Sequence, residues 1–260
     1  MIKDEIMSDL AKQTGHAGFY FKDLVTGETI EYRSQEQYIA ASVIKLPMFM
    51  ALEKLDAEGV ISLDDRITVT KADKVPICGA LTLFTDDEIN VDLRTLCRLM
   101  ITISDNTATN VLIRYLGVGK YVEQFAEMGL KDTILFRCLY NAVESNKGIQ
   151  NLIVPAEMGM LLEQVYRRDF VSRAVSEEIE DTLLHQQINH KIPGYMAGKY
   201  EVAHKTGEDE ALSNDVGIVY AKRPFVVCFA AHDTDVPEWE KFIRQTSLDL
   251  AEYCGGPAEG

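Results

Sequence analysis

Ala41-Ser42-Val43-Ile44-Lys45-Leu46 opens a run in which Met48, Met50, Ala51, Leu52 and Leu55 recur at helical spacing as far as Glu58-Gly59. Ser42 and Lys45, three positions apart, fall on one helix face and within reach of each other. A serine hydroxyl is a weak nucleophile until a base takes its proton. An amine can be that base when burial lowers its pKa. Backbone N–H groups at the start of a helix also favour developing negative charge. The plainer reading makes Ser42 a helix cap and Lys45 a solvated first-turn residue. About one Ser-x-x-Lys is expected by chance at this length, so the pair alone leaves both readings open.

Upstream, residues 2–13 suit an amphipathic helix, with Ile2, Ile6 and Leu10 on one face and Asp4, Ser8 and Lys12 on the other. Gly18 to Leu24 is strand-like, Val25-Thr26-Gly27-Glu28 is a turn, and Thr29 to Tyr32 alternates as a second strand, which together make a hairpin. Downstream, Leu63 to Val69 reads as a short extended piece and Val91 to Ile101 as a buried helix. Two more helices follow at Thr107–Leu116 and Lys120–Glu127, parted by Gly117-Val118-Gly119. Residues 132–152 lack periodicity and read as a long loop. Pro155 starts a helix with Met158, Leu161, Leu162 and Val165 on one face, and Glu177–Asn189 predicts another.

The period then changes. Tyr200–Thr206 is strand-like, Asp215–Tyr220 and Phe225–Ala231 form a second hairpin about Lys222-Arg223-Pro224, and Trp239–Cys254 is a closing amphipathic helix. Strands at both ends with helices between predict an α+β fold. Its antiparallel sheet is built from both termini and flanked by the terminal helices, with an all-helical domain inserted. Residues 1–38 and 196–260 would form the sheet domain, and 39–195 the helical domain that carries Ser42 and the 132–152 loop. The glycine-rich stretch from Gly255 to Gly260 is expected to lack order.

Composition narrows the function. The chain has 260 residues, 47% of them hydrophobic, and a net charge of −15 from 26 basic and 41 acidic side chains. That balance argues against nucleic acid and anionic membranes as partners, because both are polyanions. No stretch reaches the roughly 18 apolar residues of a membrane span. Met1-Ile2-Lys3-Asp4-Glu5-Ile6 has acids where a signal peptide would be apolar, so the chain as it stands reads as cytoplasmic, or extracytoplasmic if a leader was removed. Five cysteines without close pairs read as reduced and mostly buried. No Cys/His cluster has zinc-ligand spacing, and no Gly-x-Ser-x-Gly elbow occurs, so neither a metal nor a Ser-His-Asp enzyme of the usual hydrolase type is indicated.

Two further polar triplets sit at element boundaries. Ser104-Asp105-Asn106 heads the Thr107 helix, where it is also a good cap signal. Lys205-Thr206-Gly207 ends a strand, where glycine is common in any case. Each is unremarkable alone; all three in this order, each at a boundary, are far rarer. Ser-x-x-Lys with Ser-Asp-Asn and Lys-Thr-Gly resembles the signature of class A β-lactamases and penicillin-binding proteins. The likeness extends through Leu24-Val25-Thr26-Gly27, Val154-Pro155-Ala156-Glu157-Met158, Ile192-Pro193 and Asn214-Asp215-Val216-Gly217, and so covers roughly Gly18 to Cys254.

The resemblance implies a serine hydrolase of β-lactamase-like fold that needs no cofactor. Ser42 would be the nucleophile and Lys45 its base, directly or through water, and Ser104 would return a proton to the leaving nitrogen. Asn106 would hold the substrate amide and Lys45. Lys205, Thr206 and Gly207 would bind substrate, with the first two on its carboxylate. The N–H groups of Ser42 and Glu208 would form the oxyanion hole. A small β-lactam or related amide or ester is the expected partner, and a monomer the expected state.

The pattern departs from the family in two places. Class A enzymes deacylate with a glutamate in a loop before the Pro155-type helix. Counting back places that residue near Arg137-Cys138-Leu139, none of them acidic, and leaves Glu144 as the nearest candidate or as a solvated loop residue. The loop acid that pairs with an arginine is replaced by Asn151, with Arg137 as its possible partner. Second, Glu208-Asp209-Glu210 is either an exposed acidic turn or a device that disfavours anionic substrates and favours those bearing an amine. β-Lactam hydrolysis leads the readings. A D,D-peptidase, D-amino-acid amidase or esterase is the second. A β-lactam sensor that is acylated without turnover is the third.

Overall fold

The structure, a computed structural model, describes residues 2–196 and 198–257. In chain order it runs α1 (Ile2–Leu10), β1 (His16–Asp23), β2 (Thr29–Tyr32), β3 (Tyr38–Ile39), a 3-10 turn at Ala41–Ile44 and α2 (Lys45–Ala57). Then come β4 (Arg66–Thr70), β5 (Glu88–Asp92), α3 (Leu93–Thr102), α4 (Asn106–Leu116), α5 (Val118–Glu127) and the short α6 (Ala142–Ser145). The chain closes with β6 (Leu152–Ile153), α7 (Pro155–Arg167), α8 (Arg173–Leu184), β7 (Val202–Asp209), β8 (Leu212–Val219), β9 (Phe225–His232) and α9 (Val236–Tyr253).

Among the described residues the main sheet has the order β2-β1-β9-β8-β7, with every neighbouring pair antiparallel. The α+β sheet from both termini is therefore present. Alternation along β9 explains why Phe225 to Ala231 reads as a continuous apolar run, since both faces of the strand are covered. Val226, Cys228 and Ala230 join one cluster with the helices that follow Ser42, whereas Phe225, Val227, Phe229 and Ala231 join the other. That second cluster is closed by Ile6 and Leu10 of α1 and by Trp239, Phe242, Ile243 and Leu250 of α9.

α2 is buried almost all round, its charged Lys45 and Glu53 included. This is the signature of a helix in the middle of a core. Its apolar residues pack with α3, α4, α7 and the inner face of the sheet in one cluster. A buried helix is a rigid mount, and Ser42 sits on the turn that leads into it.

Several boundaries differ from the sequence-based expectation. The helix expected from Val91 begins at Leu93, because Asp92 turns its side chain onto the Thr95 N–H at 2.7 Å and caps it. Val91 and Asp92 instead pair with Ile67 and Arg66 in a two-stranded ribbon. The helix expected at 177–189 lies at Arg173–Leu184, capped by Ser172, and Gln186 leaves the helical path to bond the Ile101 carbonyl at 2.9 Å. The first helix stops at Leu10 rather than 13. The loop of 132–152 is interrupted by α6, and its end pairs with β3. Of the tail expected to lack order, Pro257 bridges Ala221 and the Gly256 carbonyl accepts from the Lys222 N–H at 2.9 Å, while residues 258–260 lie outside the described residues.

Candidate active site

β7 is an edge strand of the sheet, and its open side faces the Ser42 turn. Between them lies a cleft of about 660 Å³ whose floor holds Ser42, Ser104, Asn106, Thr206 and Gly207. Gly207 is required by the close approach: a Cβ there would stand 3.0 Å from the Ala40 carbonyl and 3.1 Å from the Ser42 nitrogen. Asn214, buried on β8, ties the same turn to the sheet by donating its Nδ2 to the carbonyls of Ile39 at 3.0 Å and Ala40 at 3.1 Å.

Asp105 caps α4 through the Ala108 N–H at 2.9 Å, which sets its two neighbours on either side of the helix start. Ser104 takes a left-handed backbone (φ 57°). Ala41, Ile77, Cys78 and Tyr140 do the same, and all five line this cleft. Non-glycine residues in that region each cost about 1–3 kcal/mol and persist where surrounding structure imposes them, as happens at functional sites.

Lys45 and Lys205 lie beneath the floor with no solvent exposure. Lys45 Nζ is 2.8 Å from the Ser104 carbonyl, 2.8 Å from Asn106 Oδ1 and 3.0 Å from Ser104 Oγ. Lys205 Nζ donates to the same Ser104 hydroxyl at 3.2 Å and to the Thr206 carbonyl at 2.8 Å. Burial, helped by the facing Lys205 charge, pushes the Lys45 amine well below its ordinary value. Burial is also the main cause that brings Lys205 down to about 7. Asn106 is held in turn: its Nδ2 donates to the Ile77 carbonyl at 2.8 Å and its N–H to the Cys78 carbonyl at 3.2 Å. The fold thus brings together Ser42, Lys45, Ser104, Asn106, Lys205, Thr206 and Gly207 from three distant stretches.

Glu144 stands apart. It does not line the cleft, and its carboxylate pairs with Lys147 at 3.0 Å on the surface of α6. In this structure the carboxylate is paired outside the cleft, whereas a general base must reach the proton it abstracts directly or through one water. Leu139 and Arg137 line the loop wall where that carboxylate was expected. Asn151 does not hold the Arg137 side chain either. Its Oδ1 accepts the N–H groups of Phe136 at 2.8 Å and Arg137 at 3.0 Å, and its Nδ2 donates to the Arg137 carbonyl.

Glu208 also departs from the simple acidic-turn reading. Its carboxylate lies 3.1 Å from Lys191 Nζ and 3.2 Å from His190 Nε2. The hydrogen bond to His190 first, and Lys191 with it, hold Glu208 down at about 2, while Glu208 and Glu240 raise His190 to about 9. The acid beside Lys-Thr-Gly is therefore compensated. His190, Glu208 and Glu240 bring metal-ligand atoms within 4.8 Å of one another, but Lys191 Nζ, 3.1 Å from Glu208 and 4.0 Å from Glu240, already supplies the cation. Lys191 was given no role from sequence, and Arg137 only that of a possible partner for Asn151. The position of Lys191 just past the helix expected at 177–189 gave no signal of its contact with Glu208. The five cysteines are unpaired, with Cys78 on the cleft wall. Among the described residues no helix is long and apolar enough to cross a membrane.

Residues 1–254 match the β-lactamase enzyme family. A β-lactamase of Streptomyces albus G is 35% identical over 254 residues, covering 92% of this chain and 80% of its own. One from Bacteroides uniformis is 26% identical over 238 residues, covering 80% and 77%. Among solved structures, PBP-A superposes with a TM-score of 0.87 at 27% identity over 97% of this chain and 95% of its own. A β-lactamase from Sphaerobacter thermophilus gives 0.87 at 26% identity over 98% and 97%. A variant of PBP-A, also at 0.87 and 26% identity over 97% and 95%, was captured as an acyl-enzyme complex with penicillin G.

Proposed function

This chain belongs to the β-lactamase enzyme family and is a class A-like serine hydrolase, and we propose that it acts through an acyl-enzyme on Ser42, with β-lactams as the leading acyl donors. The observation that carries the proposal is the state of Lys45. It is a fully buried amine, displaced toward neutrality, one helical turn from Ser42 and bonded to Ser104 and Asn106. A neutral amine has two hydrogens and one lone pair. The Ser104 carbonyl and Asn106 Oδ1 can only accept, so they take the hydrogens. The lone pair is then free for a hydroxyl proton.

In this reading the lone pair of Lys45 takes the Ser42 proton as Oγ attacks the carbonyl carbon. The N–H groups of Ser42 and Glu208 stabilise the oxyanion. Ser104 Oγ, 3.0 Å from Lys45 Nζ, then passes its proton to the departing nitrogen as the acyl C–N bond breaks and takes one from the Lys45 ammonium, which returns that amine to its neutral form. Lys205, while charged, holds the Ser104 hydroxyl and a substrate carboxylate. Asn106 positions Lys45 and the substrate amide.

The second reading, acylation with slow release, also rests on an observation. Among the described residues that line the cleft the carboxylates are Glu208 and Asp209, on the β7 side, and none comes from the loop wall. General-base assistance typically contributes about 10²–10⁴-fold, so its absence favours a persistent adduct. A chromogenic cephalosporin followed by colour and intact mass, beside Ser42→Ala, tests both. Sustained colour with little adduct is hydrolysis, and a single burst with a lasting adduct on Ser42 is acylation without efficient release. An undiminished adduct in Ser42→Ala would sink the proposal.

A further inference from the structure

Arg137 is the sole positively charged residue among the described residues that line the cleft. Its half-buried guanidinium makes three hydrogen bonds, all to neutral acceptors. Nε donates to the Ile149 carbonyl at 2.8 Å, Nη1 to the Cys138 carbonyl at 3.0 Å and Nη2 to Gln150 Oε1 at 2.5 Å. A guanidinium has five N–H groups, so two remain. Among the described residues no carboxylate lies within ion-pair distance of it; Asn151, where an acid would supply a partner, spends its amide on the main chain. A cation drawn partly out of water and bonded only to neutral groups favours an anion that can reach it.

Asp209, at the end of β7, lines the same cleft from the opposite side. It has no ion-pair partner among the described residues, and its Oδ1 accepts only the Glu210 N–H at 2.8 Å. Its neighbour Glu208 is compensated by Lys191 and His190, so Asp209 is the uncompensated negative charge of the cleft. The two opposite charges feel each other without touching. A side chain that carries both charges would bridge them.

We infer that Arg137 and Asp209 form a subsite for a zwitterionic acyl side chain, its carboxylate on Arg137 and its ammonium on Asp209. The inference rests on the acyl-enzyme reading and narrows it to acyl donors that end in an α-amino acid. It also revises the idea that the whole acidic turn selects for amines, since one acid of the turn is neutralised and an arginine faces it.

Three cephalosporins that share one acetoxymethyl cephem nucleus provide the test. One bears an aminoadipyl side chain, one a glutaryl chain with the carboxylate but no amine, and one a neutral thienylacetyl chain. Acylation of Ser42 is timed by intact mass. The aminoadipyl compound should react at least about tenfold faster than the neutral one, as expected for charge-assisted hydrogen bonds. Arg137→Gln should reduce that preference and the glutaryl preference alike, Arg137→Lys should keep most of both, and Asp209→Asn should reduce only the aminoadipyl preference. Equal rates for the three compounds overturn the subsite, as does an Arg137→Gln effect shared by all three, which would mark a purely structural arginine. Neither adduct nor hydrolysed product from any of them would instead end the acyl-enzyme reading itself.

Discussion

Lys191 Nζ, with no solvent exposure, donates to the carbonyl of Gly207 at 3.0 Å, directly behind the strand that closes the site. It also bonds the Asn214 carbonyl at 3.2 Å, and so fastens the residue before Glu208 and the residue that ties down the Ser42 turn to one point. Lys191→Met leaves both carbonyls without this donor. A loss of about 1–3 kcal/mol is expected for such unmet buried acceptors, read by urea unfolding. The acylation rate constant should fall more than substrate affinity, because Lys205 and Thr206 remain in place. An unchanged rate in a destabilised variant would restrict Lys191 to stability.

Glu144→Gln is expected to leave both product release and stability nearly unchanged. Its carboxylate meets only Lys147 in a surface pair, and such pairs contribute about 0–1 kcal/mol. Steady-state and single-turnover rates on one cephalosporin check this. A slowing of deacylation by tenfold or more would restore Glu144 as the base and require α6 to move.

The acylation rate constant should follow two titrations. It rises as Lys45 loses its proton, at a pH well below the ordinary lysine range because the amine is buried. It then falls for carboxylate-bearing substrates as pH passes about 7, where Lys205 in the free enzyme becomes neutral. Lys205→Arg keeps its charge throughout and should move the alkaline limb up and out of range. An alkaline limb that stays near pH 7 in that variant would assign it to another group.

Glu53 gives a separate pH dependence, of stability rather than rate. It is 4% exposed on α2, its Oε1 lacks a hydrogen-bond partner, and burial raises its carboxyl to about 7. An unfolded glutamate titrates near about 4.3. The folded state therefore holds more protons between those values, and stability falls as pH rises from about 4 to about 7. Glu53→Gln should remove that slope and gain on the order of 3–4 kcal/mol at pH 8 relative to pH 4. Parallel unfolding curves for parent and variant across this range would contradict it.

The residues that carry the proposed chemistry were legible because their signals are local. Ser42 and Lys45 are one turn apart, Asp105 caps its own helix, and Lys205-Thr206-Gly207 ends a strand with an obvious alternation. Boundaries were less legible where a side chain outweighed periodicity, as when Asp92 ended a strand and started α3.

By itself the sequence determined the α+β class and the sheet drawn from both termini, since these follow from the periods of its segments. That Ser42, Lys45, Ser104, Asn106 and Lys205 meet was implied by the family resemblance alone, because they lie on three distant stretches. Only the tertiary structure decided the charge of the cleft. Lys191 neutralises Glu208 from 17 residues away. Asn151 spends its amide on backbone groups, and among the described residues no acid lies within ion-pair distance of the Arg137 guanidinium. Glu144 turns to Lys147 rather than inward. The physical reason is that hydrogen bonds and ion pairs depend on where a side chain points and how much water it has lost, and neither property is encoded in the identity of its chain neighbours.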